Sequence, residues 1–303
     1  MSRFVLVVAL SVSALACLAD AAVVRMSTVL GTIDVELYDS TPVTRANFLR
    51  YVIEGSYDYS IFHRSLPGFV LQGGGYILRN TTSGVQLQGV PTYAPIVNEF
   101  SSDRSNLFGT IAMAKTAASP NSATSQWFFN LADNSANLDH QNGGFTVFGH
   151  VVAGVDVLLA LEALQTWNFG GDFSNLPTLD TFTGITQLTQ DDLATIYSAV
   201  LLADANGDGV VDAADYMTVK QNFGMTSGAQ WSDGDFNGDH QVNWADLQIL
   251  MASFGARSVV AGGGSVPEPA TLSLLALLAL SLPKRGGPAM LPRRRRRFSP
   301  WPE

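Results

Sequence analysis

Cysteine is nearly absent from this chain. The single cysteine, Cys17, lies in an apolar N-terminal segment, so the remaining residues cannot form a disulfide and cysteine content gives no indication of the compartment. The four histidines show no spacing typical of metal ligands. No Ser/His/Asp or Cys/His set stands out either, so a hydrolase would lack a candidate active site.

Basic residues are also scarce. The formal net charge of the whole chain is −9, and residues 21–283 alone carry nine Lys or Arg against 24 Asp or Glu. This excess of negative charge argues against nucleic acid as a partner. Between Asp204 and Gly255 eight Asp face one Lys, and so dense a group of carboxylates needs either solvent or a cation.

No apolar run near the C-terminus is long enough for an ordinary membrane span, which needs about 20 residues; residues 270–282 number thirteen. At the other end, Arg3 precedes an apolar stretch and small residues at 19–21, a pattern typical of a cleaved signal peptide. We therefore expect a signal peptide over residues 1–21 and an exported protein of the cell envelope, cell surface or extracellular space. A lipoprotein modified at Cys17 and a retained N-terminal anchor are the alternatives.

Hydrophobic periodicity predicts strands first and a helix next. Residues 23–38 alternate as in a half-buried hairpin, and Thr41, Pro42 and Gly55 delimit a helix. Its expected inward stripe consists of Val43, Ala46, Leu49, Val52 and Ile53. Short strands and glycine turns follow to about residue 152, then a second helix over 155–164, after which residues 176–188 are expected to leave the domain.

Three sequence blocks carry a family resemblance: FHRSLPGFVLQGGG at residues 62–75, TSQWFFN at 124–130 and VFGHV at 147–151. Together they resemble the cyclophilins, a family of peptidyl-prolyl cis/trans isomerases. The resemblance covers residues 22–188 and implies a mainly β fold, a closed antiparallel barrel capped by helices. It also implies action on X-Pro bonds of proline-containing polypeptides, with no cofactor for catalysis.

The resemblance implies a set of site residues. Arg64 matches the family's Arg near the proline nitrogen, Gln72 the Gln that orients it, and Phe69 a pocket aromatic. The three expected catalytic residues are therefore Arg64, Gln72 and Phe69. The expected substrate-binding residues are His63, Val70, Ala114, Lys115, Gln126, Phe128, Leu138 and Phe145.

Three positions depart from the family pattern. Asn137 replaces a Trp of eukaryotic members, Phe145 replaces a rim His, and Val70 replaces a common Met. The first departure predicts poor cyclosporin binding. A surface protein that binds proline segments with weak or no isomerase activity is the alternative function; the intact Arg64, Phe69, Gln72 and Phe128 favour the enzyme.

The C-terminal third repeats itself with an offset of 31 residues, since 203–224 matches 234–255. Each repeat resembles the EF-hand-like loop and helix of a type I dockerin, which implies a small all-α domain over 203–256, two structural Ca²⁺ sites and a cohesin-like partner. His240 occupies a turn position where glycine is usual, so we expect a weaker second site. The implied ligands are Asp204, Asn206, Asp208, Val210, Asp212 and Asp215 in the first loop, and Asp235, Asn237, Asp239, Gln241, Asn243 and Asp246 in the second.

The remaining segments are expected to connect or to sort. Residues 189–202 and the Gly-rich residues 257–265 are expected to be linkers. VPEP at 266–269, the short apolar run and the arginines at 293–297 resemble a PEP-CTERM sorting signal over residues 266–303. That resemblance implies transient membrane contact during processing.

Overall fold

A computed structural model describes residues 22–81, 84–184 and 188–257. The chain divides into two compact units, residues 1–261 and 262–303, and every described residue belongs to the first. The expected signal peptide, the second linker from residue 258 and the sorting tail lie outside the described residues.

The strands are Val23–Thr28 (β1), Gly31–Leu37 (β2), Ser60–Ile61 (β3), Arg64–Leu66 (β4), Val70–Gly73 (β5), Tyr76–Thr81 (β6), Gly84–Gly89 (β7), Thr110–Met113 (β8), Trp127–Asn130 (β9), Val147–Ala153 (β10), Gln165–Trp167 (β11), Leu176–Thr178 (β12) and Thr195–Leu201 (β13). The helices are Pro42–Ile53 (α1), Ser135–Leu138 (α2), Val155–Glu162 (α3), Ala213–Asn222 (α4) and Trp244–Ser253 (α5).

Eleven of these strands form one antiparallel sheet, in the order β4-β5-β9-β8-β10-β2-β1-β13-β3-β6-β7. The sheet is curled, because β4 at one end of this order is separated in sequence from β3, near the other end, only by Phe62 and His63. The amide of Phe62 donates to the Ala194 carbonyl at 2.9 Å and that of His63 to the Gln72 carbonyl at 3.1 Å. The mainly β prediction is therefore confirmed as a curled antiparallel sheet.

Aromatic side chains fill the space between the sheet and α1. Trp127 is fully buried, and its ring makes edge contacts with the rings of Phe48, Tyr57 and Phe62 at 5.9–6.3 Å between centroids. Rings of this size each bury a large apolar area, so this cluster is a main source of core stability.

The buried face of α1 includes Leu49 and Val52 of the predicted stripe but is otherwise shifted from it. Val43 is 41% exposed, whereas Thr44, Phe48 and Tyr51 are buried. The physical reason is the volume of the aromatic side chains. Positions three and four residues apart share one face of a helix, and the large rings of Phe48 and Tyr51 place their face against the core. The polar Asn47 on this side is satisfied, because its amide donates to the Thr124 carbonyl at 2.8 Å.

The first predicted linker is wrong, because residues 189–202 contain β13. That strand lies inside the sheet, between β1 and β3, with Val24 opposite Leu201 and Met26 opposite Ala199. Residues 176–188 also stay with the domain at their start: β12 pairs with β11, and Leu176 is only 1% exposed. Burial of Leu176 with Ile61 and Leu193 in one apolar cluster explains why the chain does not leave here.

Helices α4 and α5 each follow an Asp-rich loop, and the two halves are hydrogen-bonded together. The Gly224 amide donates to the Val242 carbonyl at 2.8 Å, and the Val211 amide to the Ala256 carbonyl at 2.8 Å. Across the part of the chain that is described, no helix has the length and apolar character needed to cross a membrane.

Candidate active site

Strand register places three expected site residues in one row across the sheet. Arg64 on β4 lies opposite Gln72 on β5, and Gln72 lies opposite Phe128 on β9. Because directly paired residues in an antiparallel sheet point to the same face, their side chains emerge together. Val70 lies two residues before Gln72 on β5 and so points to the same face, and Phe69, from the turn before β5, packs against the cluster that contains Val70 and Phe128.

A chain of side-chain hydrogen bonds orients Arg64. Its Nη1 donates to Gln72 Oε1 at 3.3 Å, and Gln72 Nε2 donates to Gln126 Oε1 at 2.8 Å. Burial lowers the pKa of the Arg64 guanidinium, but this group stays protonated in proteins because its ordinary value lies far above neutrality. The arrangement holds a cationic donor at the rim of a cavity.

The cavity beside Arg64 is walled by apolar side chains. Phe128 is 4% exposed, and its ring meets Phe145 edge-on at 5.7 Å between centroids. The cavity measures about 240 Å³. Its lining consists of Arg64, Phe69, Val70, Gln72, Ala114, Lys115, Phe128, Leu138, Gln141 and Phe145. It therefore gathers nine of the eleven expected site residues around one small cavity.

A second, more polar cavity of about 380 Å³ adjoins the first and shares Arg64, Gln72, Ala114 and Lys115 with it. It contains the other two expected residues, His63 and Gln126. Sequence reasoning missed the remaining lining residues, Thr116, Ser122, Thr124 and Asp172.

The two Asp-rich loops share one hydrogen-bond pattern. In the first, Asp204 accepts from the amides of Gly207 and Gly209, both at 2.8 Å. In the second, Asp235 accepts from the amides of Gly238 and His240, again at 2.8 Å. The loop that follows each of these carboxylates is thus wrapped around it.

The last expected ligand position of each loop repeats in the same way. Asp215 accepts from the amides of Ala205 and Asp212 at 2.8 Å each, and Asp246 from those of Phe236 and Asn243 at 2.9 Å each. Both carboxylates are fully buried. The turn glycine of the first loop, Gly209, has φ +83°, and His240 at the matching position has φ +62°.

An all-oxygen ligand set of this type suits Ca²⁺. Burial raises the pKa of Asp204 and of Asp215, because it disfavours the charged form of a carboxylate. Over the described ranges, no three or more His, Cys, Asp or Glu side chains are grouped as a metal site by themselves. A cation here would therefore also need the Asn side chains and main-chain carbonyls of the loops.

Known proteins show what these features belong to. The model of the family "Cyclophilin type peptidyl-prolyl cis-trans isomerase/CLD" matches residues 23–179. A peptidyl-prolyl cis-trans isomerase of Acinetobacter baylyi is 41% identical over 149 residues, which cover 48% of this chain and 75% of that protein. Peptidyl-prolyl cis-trans isomerase A of Dickeya dadantii is 41% identical over 157 residues, 51% of this chain and 77% of that protein.

This chain belongs to the cyclophilin family. It is a peptidyl-prolyl cis-trans isomerase, EC 5.2.1.8, which confirms the enzyme predicted from the sequence. Among solved structures, a Cryptosporidium parvum cyclophilin-type peptidyl-prolyl cis-trans isomerase matches with a TM-score of 0.43 and 22% identity, over 59% of this chain and 98% of that one. A second family model, "Dockerin type I domain", matches residues 202–255, which confirms a dockerin domain after the cyclophilin domain.

Within the cyclophilin domain, the charged ammonium group of Lys115 is hydrogen-bonded to main-chain carbonyls of the same domain. Its Nζ donates to the carbonyls of Asn142 at 2.7 Å and Gly144 at 2.5 Å, and lies 4.7 Å from the Phe145 ring centroid. These bonds hold the loop that carries Phe145 against the pocket. The Ala114 amide is also occupied, since it donates to the Gln126 carbonyl at 2.9 Å.

Asp172 comes to the cyclophilin site from a segment about a hundred residues after Arg64 in the sequence. The hydroxyl of Tyr76 donates to its carboxylate, and the neighbouring Phe173 packs on the Tyr76 ring at 4.6 Å between centroids. No local signal in the sequence marks Asp172, because only the packing of Phe173 brings it to the cavity.

The buried His63 of the cyclophilin domain is expected to make stability fall in acid. Burial lowers its pKa from 6.5 to about 4, assisted by Arg64 and opposed by Asp172 and Gln126. Below pH 6.5 His63 is therefore protonated in the unfolded chain but stays neutral in the folded chain. Its contribution to stability is fully present above pH 6.5 and is lost as pH falls toward the lowered pKa of about 4. On lowering the pH from about 7.5 to about 4.5, His63 should reduce the free energy of unfolding by roughly 2 kcal/mol.

Urea unfolding at the two pH values, for the wild type and for His63→Gln, measures this effect. The variant should show a smaller loss of stability in acid than the wild type. An equal loss in both proteins would mean that other groups govern the acid sensitivity.

Proposed function

We propose that the cyclophilin domain isomerises X-Pro bonds of exported proteins by non-covalent stabilisation of the twisted amide, while the calcium-binding dockerin domain tethers it. The observation that carries the mechanism is the Arg64 guanidinium, held by Gln72 and Gln126 at the rim of an apolar pocket. In this proposal the curled sheet is a closed barrel, because β4 at one end of the sheet follows directly on β3, which lies two strands from the other end.

The reaction needs a donor aimed at the proline nitrogen. Rotation about an X-Pro amide crosses a barrier of about 20 kcal/mol, because the nitrogen lone pair is delocalised into the carbonyl. When the bond twists, the lone pair returns to nitrogen and can accept a hydrogen bond from Arg64. This bond exists only near the transition state, so it lowers the barrier without tightening the ground state.

The pocket supplies binding and orientation. Phe69, Phe128 and Phe145 would enclose the proline ring, with Val70 and Leu138 as the remaining apolar wall. The substrate main chain would run along the edge at Ala114 and Lys115, beside the loop that the Lys115 ammonium holds through the carbonyls of Asn142 and Gly144. His63 and Gln126 face the adjoining cavity, where flanking residues of the substrate would lie.

The variant Gln72→Ala tests whether Gln72 acts by orienting Arg64. Loss of a hydrogen bond to a charged group costs about 1.5–3 kcal/mol, so we expect kcat/KM on an X-Pro peptide to fall about 10- to 150-fold, mainly through kcat. The conservative variant Gln72→Glu, which keeps an acceptor for Arg64, should retain more activity than Gln72→Ala. Equal activity of Gln72→Ala and wild type would contradict this role.

The dockerin domain is proposed to hold two Ca²⁺ ions and to be an all-helical module apart from its loops. The ligands would be the carboxylate and amide oxygens at positions 1, 3, 5, 9 and 12 of each loop, with the carbonyls of Val210 and Gln241 at position 7. A non-glycine residue at positive φ is strained, so His240 supports a weaker second site. The partner of this domain would be a cohesin-like protein.

A dockerin domain suggests an extracellular or cell-surface protein. We infer export through a signal peptide at residues 1–21 and sorting through a PEP-CTERM-like tail at 266–303 that contacts the membrane transiently. The basis is the pattern of apolar and basic residues at the two ends.

A further inference from the structure

The first Asp-rich loop starts directly from the cyclophilin sheet. The Leu202 amide donates to the Val23 carbonyl at 2.8 Å, which extends the pairing of β13 with β1 beyond the strand end at Leu201. Ala203, fully buried at φ +71°, then turns the chain into Asp204, the first expected calcium ligand. The position of Asp204 is therefore fixed by a strand of the sheet.

The second loop is attached to the first by an indole. Trp231 Nε1 donates to the Asp204 carbonyl at 2.7 Å, and the Trp231 ring meets the fully buried Phe236 ring at 5.2 Å between centroids. The first ligand position of one loop and the core aromatic of the other are thus in contact through one side chain.

Arg25 connects the sheet to the second loop. From β1 its Nε and Nη2 donate to the two Asp34 carboxylate oxygens of β2, both at 2.7 Å, and its Nη1 donates to the Phe236 carbonyl. The amide of the same Phe236 donates to Asp246, the last expected ligand of that loop, at 2.9 Å. Asp34 neutralises Arg25, so this pair brings no net positive charge to the loop.

The contact depends on Arg25 because the surrounding surfaces are not closely packed. A cavity of about 990 Å³ lies beside it, lined by Arg25, Ser27, Thr32, Ser198 and Val200 of the sheet and by residues 227–231, 235–238 and 240 of the dockerin domain. An interface without continuous apolar packing has to rely on its few directional bonds.

We propose that the dockerin domain is docked on the cyclophilin sheet through Arg25, and that Ca²⁺ binding to its loops stabilises the cyclophilin domain. The proposal rests on calcium binding by the loops. In this proposal Ca²⁺ orders Asp235 and Asp246, and the ordered loop fixes the position of the Phe236 carbonyl. Because this carbonyl accepts a hydrogen bond from Arg25, the loop then stabilises β1 and, through Asp34, β2. By linkage, the sheet must in turn favour calcium binding by the same factor.

Hydrogen exchange of the full chain, with and without Ca²⁺ and resolved by segment, tests the proposal. Calcium should slow exchange in both loops, residues 204–215 and 235–246, and also in β1, β2 and β13, by at least about fivefold, the lower end of typical coupling factors. Arg25→Gln combined with Asp34→Asn removes the connection without leaving an unpaired charge. In this variant the loops should still respond, while the response of β1 and β2 should fall at least about threefold.

Two further variants keep the test decisive. Arg79→Ala removes an exposed arginine of the same sheet whose Nε bonds only the neighbouring strand at Gln88, so its calcium response should equal the wild type. Asp246→Asn weakens the second loop without touching the sheet, so it should reduce the strand response even if the double variant fails to fold.

The outcomes separate the two levels of the argument. Protection of the loops without protection of the strands, or an unchanged strand response in Asp246→Asn, would overturn the coupling and leave calcium binding intact. No protection of the loops would instead refute the calcium binding on which the coupling rests.

Discussion

Replacing Arg64 by alanine should abolish most of the isomerase activity while the protein stays folded. In the part of the chain that the structure describes, Arg64 and Lys115 are the cationic side chains that line both cavities, and Lys115 is bonded to the carbonyls of Asn142 and Gly144. Loss of a preorganised donor to a transition state costs about 100- to 1,000-fold in kcat. Proline isomerisation of a short X-Pro peptide by the full chain measures this loss.

The stage of the reaction at which Arg64 bonds the proline nitrogen decides which kinetic constant the Arg64→Ala substitution changes. Because the nitrogen lone pair is available only in the twisted amide, the loss should appear in kcat and leave KM nearly unchanged. Arg64→Lys keeps the charge but not the planar fork of donors, so it should recover only a part of the activity.

Two controls complete the Arg64 experiment. Arg79→Ala, an exposed arginine of the same sheet, should keep wild-type activity, and thermal unfolding of Arg64→Ala should match the wild type within a few degrees. A folded Arg64→Ala protein with wild-type kcat would refute the proposed mechanism.

A chain that ends at residue 188 should not fold, whereas one that ends at residue 203 should. The shorter chain lacks β13, which lies between β1 and β3 and buries Ile196 and Leu201 together with the preceding Leu193. Burial of one such side chain contributes about 1.5–3 kcal/mol, so the three account for much of the roughly 5–15 kcal/mol that stabilises a typical domain. Loss of the strand also leaves the edge of β1 unpaired and open to aggregation.

Circular dichroism and solubility of the two fragments, both starting at residue 22, measure this difference. The fragment 22–203 should unfold cooperatively, at a lower temperature than the calcium-loaded full chain if the dockerin domain supports the sheet. A cooperatively folded and active 22–188 fragment would show that β13 is dispensable.

The sequence by itself determined the family, the enzyme class and the repeats. The expected catalytic residues are close in sequence: Arg64, Phe69 and Gln72 fall within nine residues, and a β-hairpin is enough to bring them together. The loops are equally local, since a ligand set at alternate positions requires no distant partner. Local spacing therefore carried both the active-site prediction and the dockerin prediction.

Only the tertiary structure decided which segments complete these sites. A seven-residue strand and a linker differ little in sequence, and β13 is a strand because β1, about 170 residues earlier, offers it a pairing edge. Asp172 reaches the second cavity only because Phe173 packs on Tyr76. Arg25 meets the Phe236 carbonyl across more than two hundred residues of sequence. Contacts of this range depend on how the whole chain packs, and no local pattern encodes them.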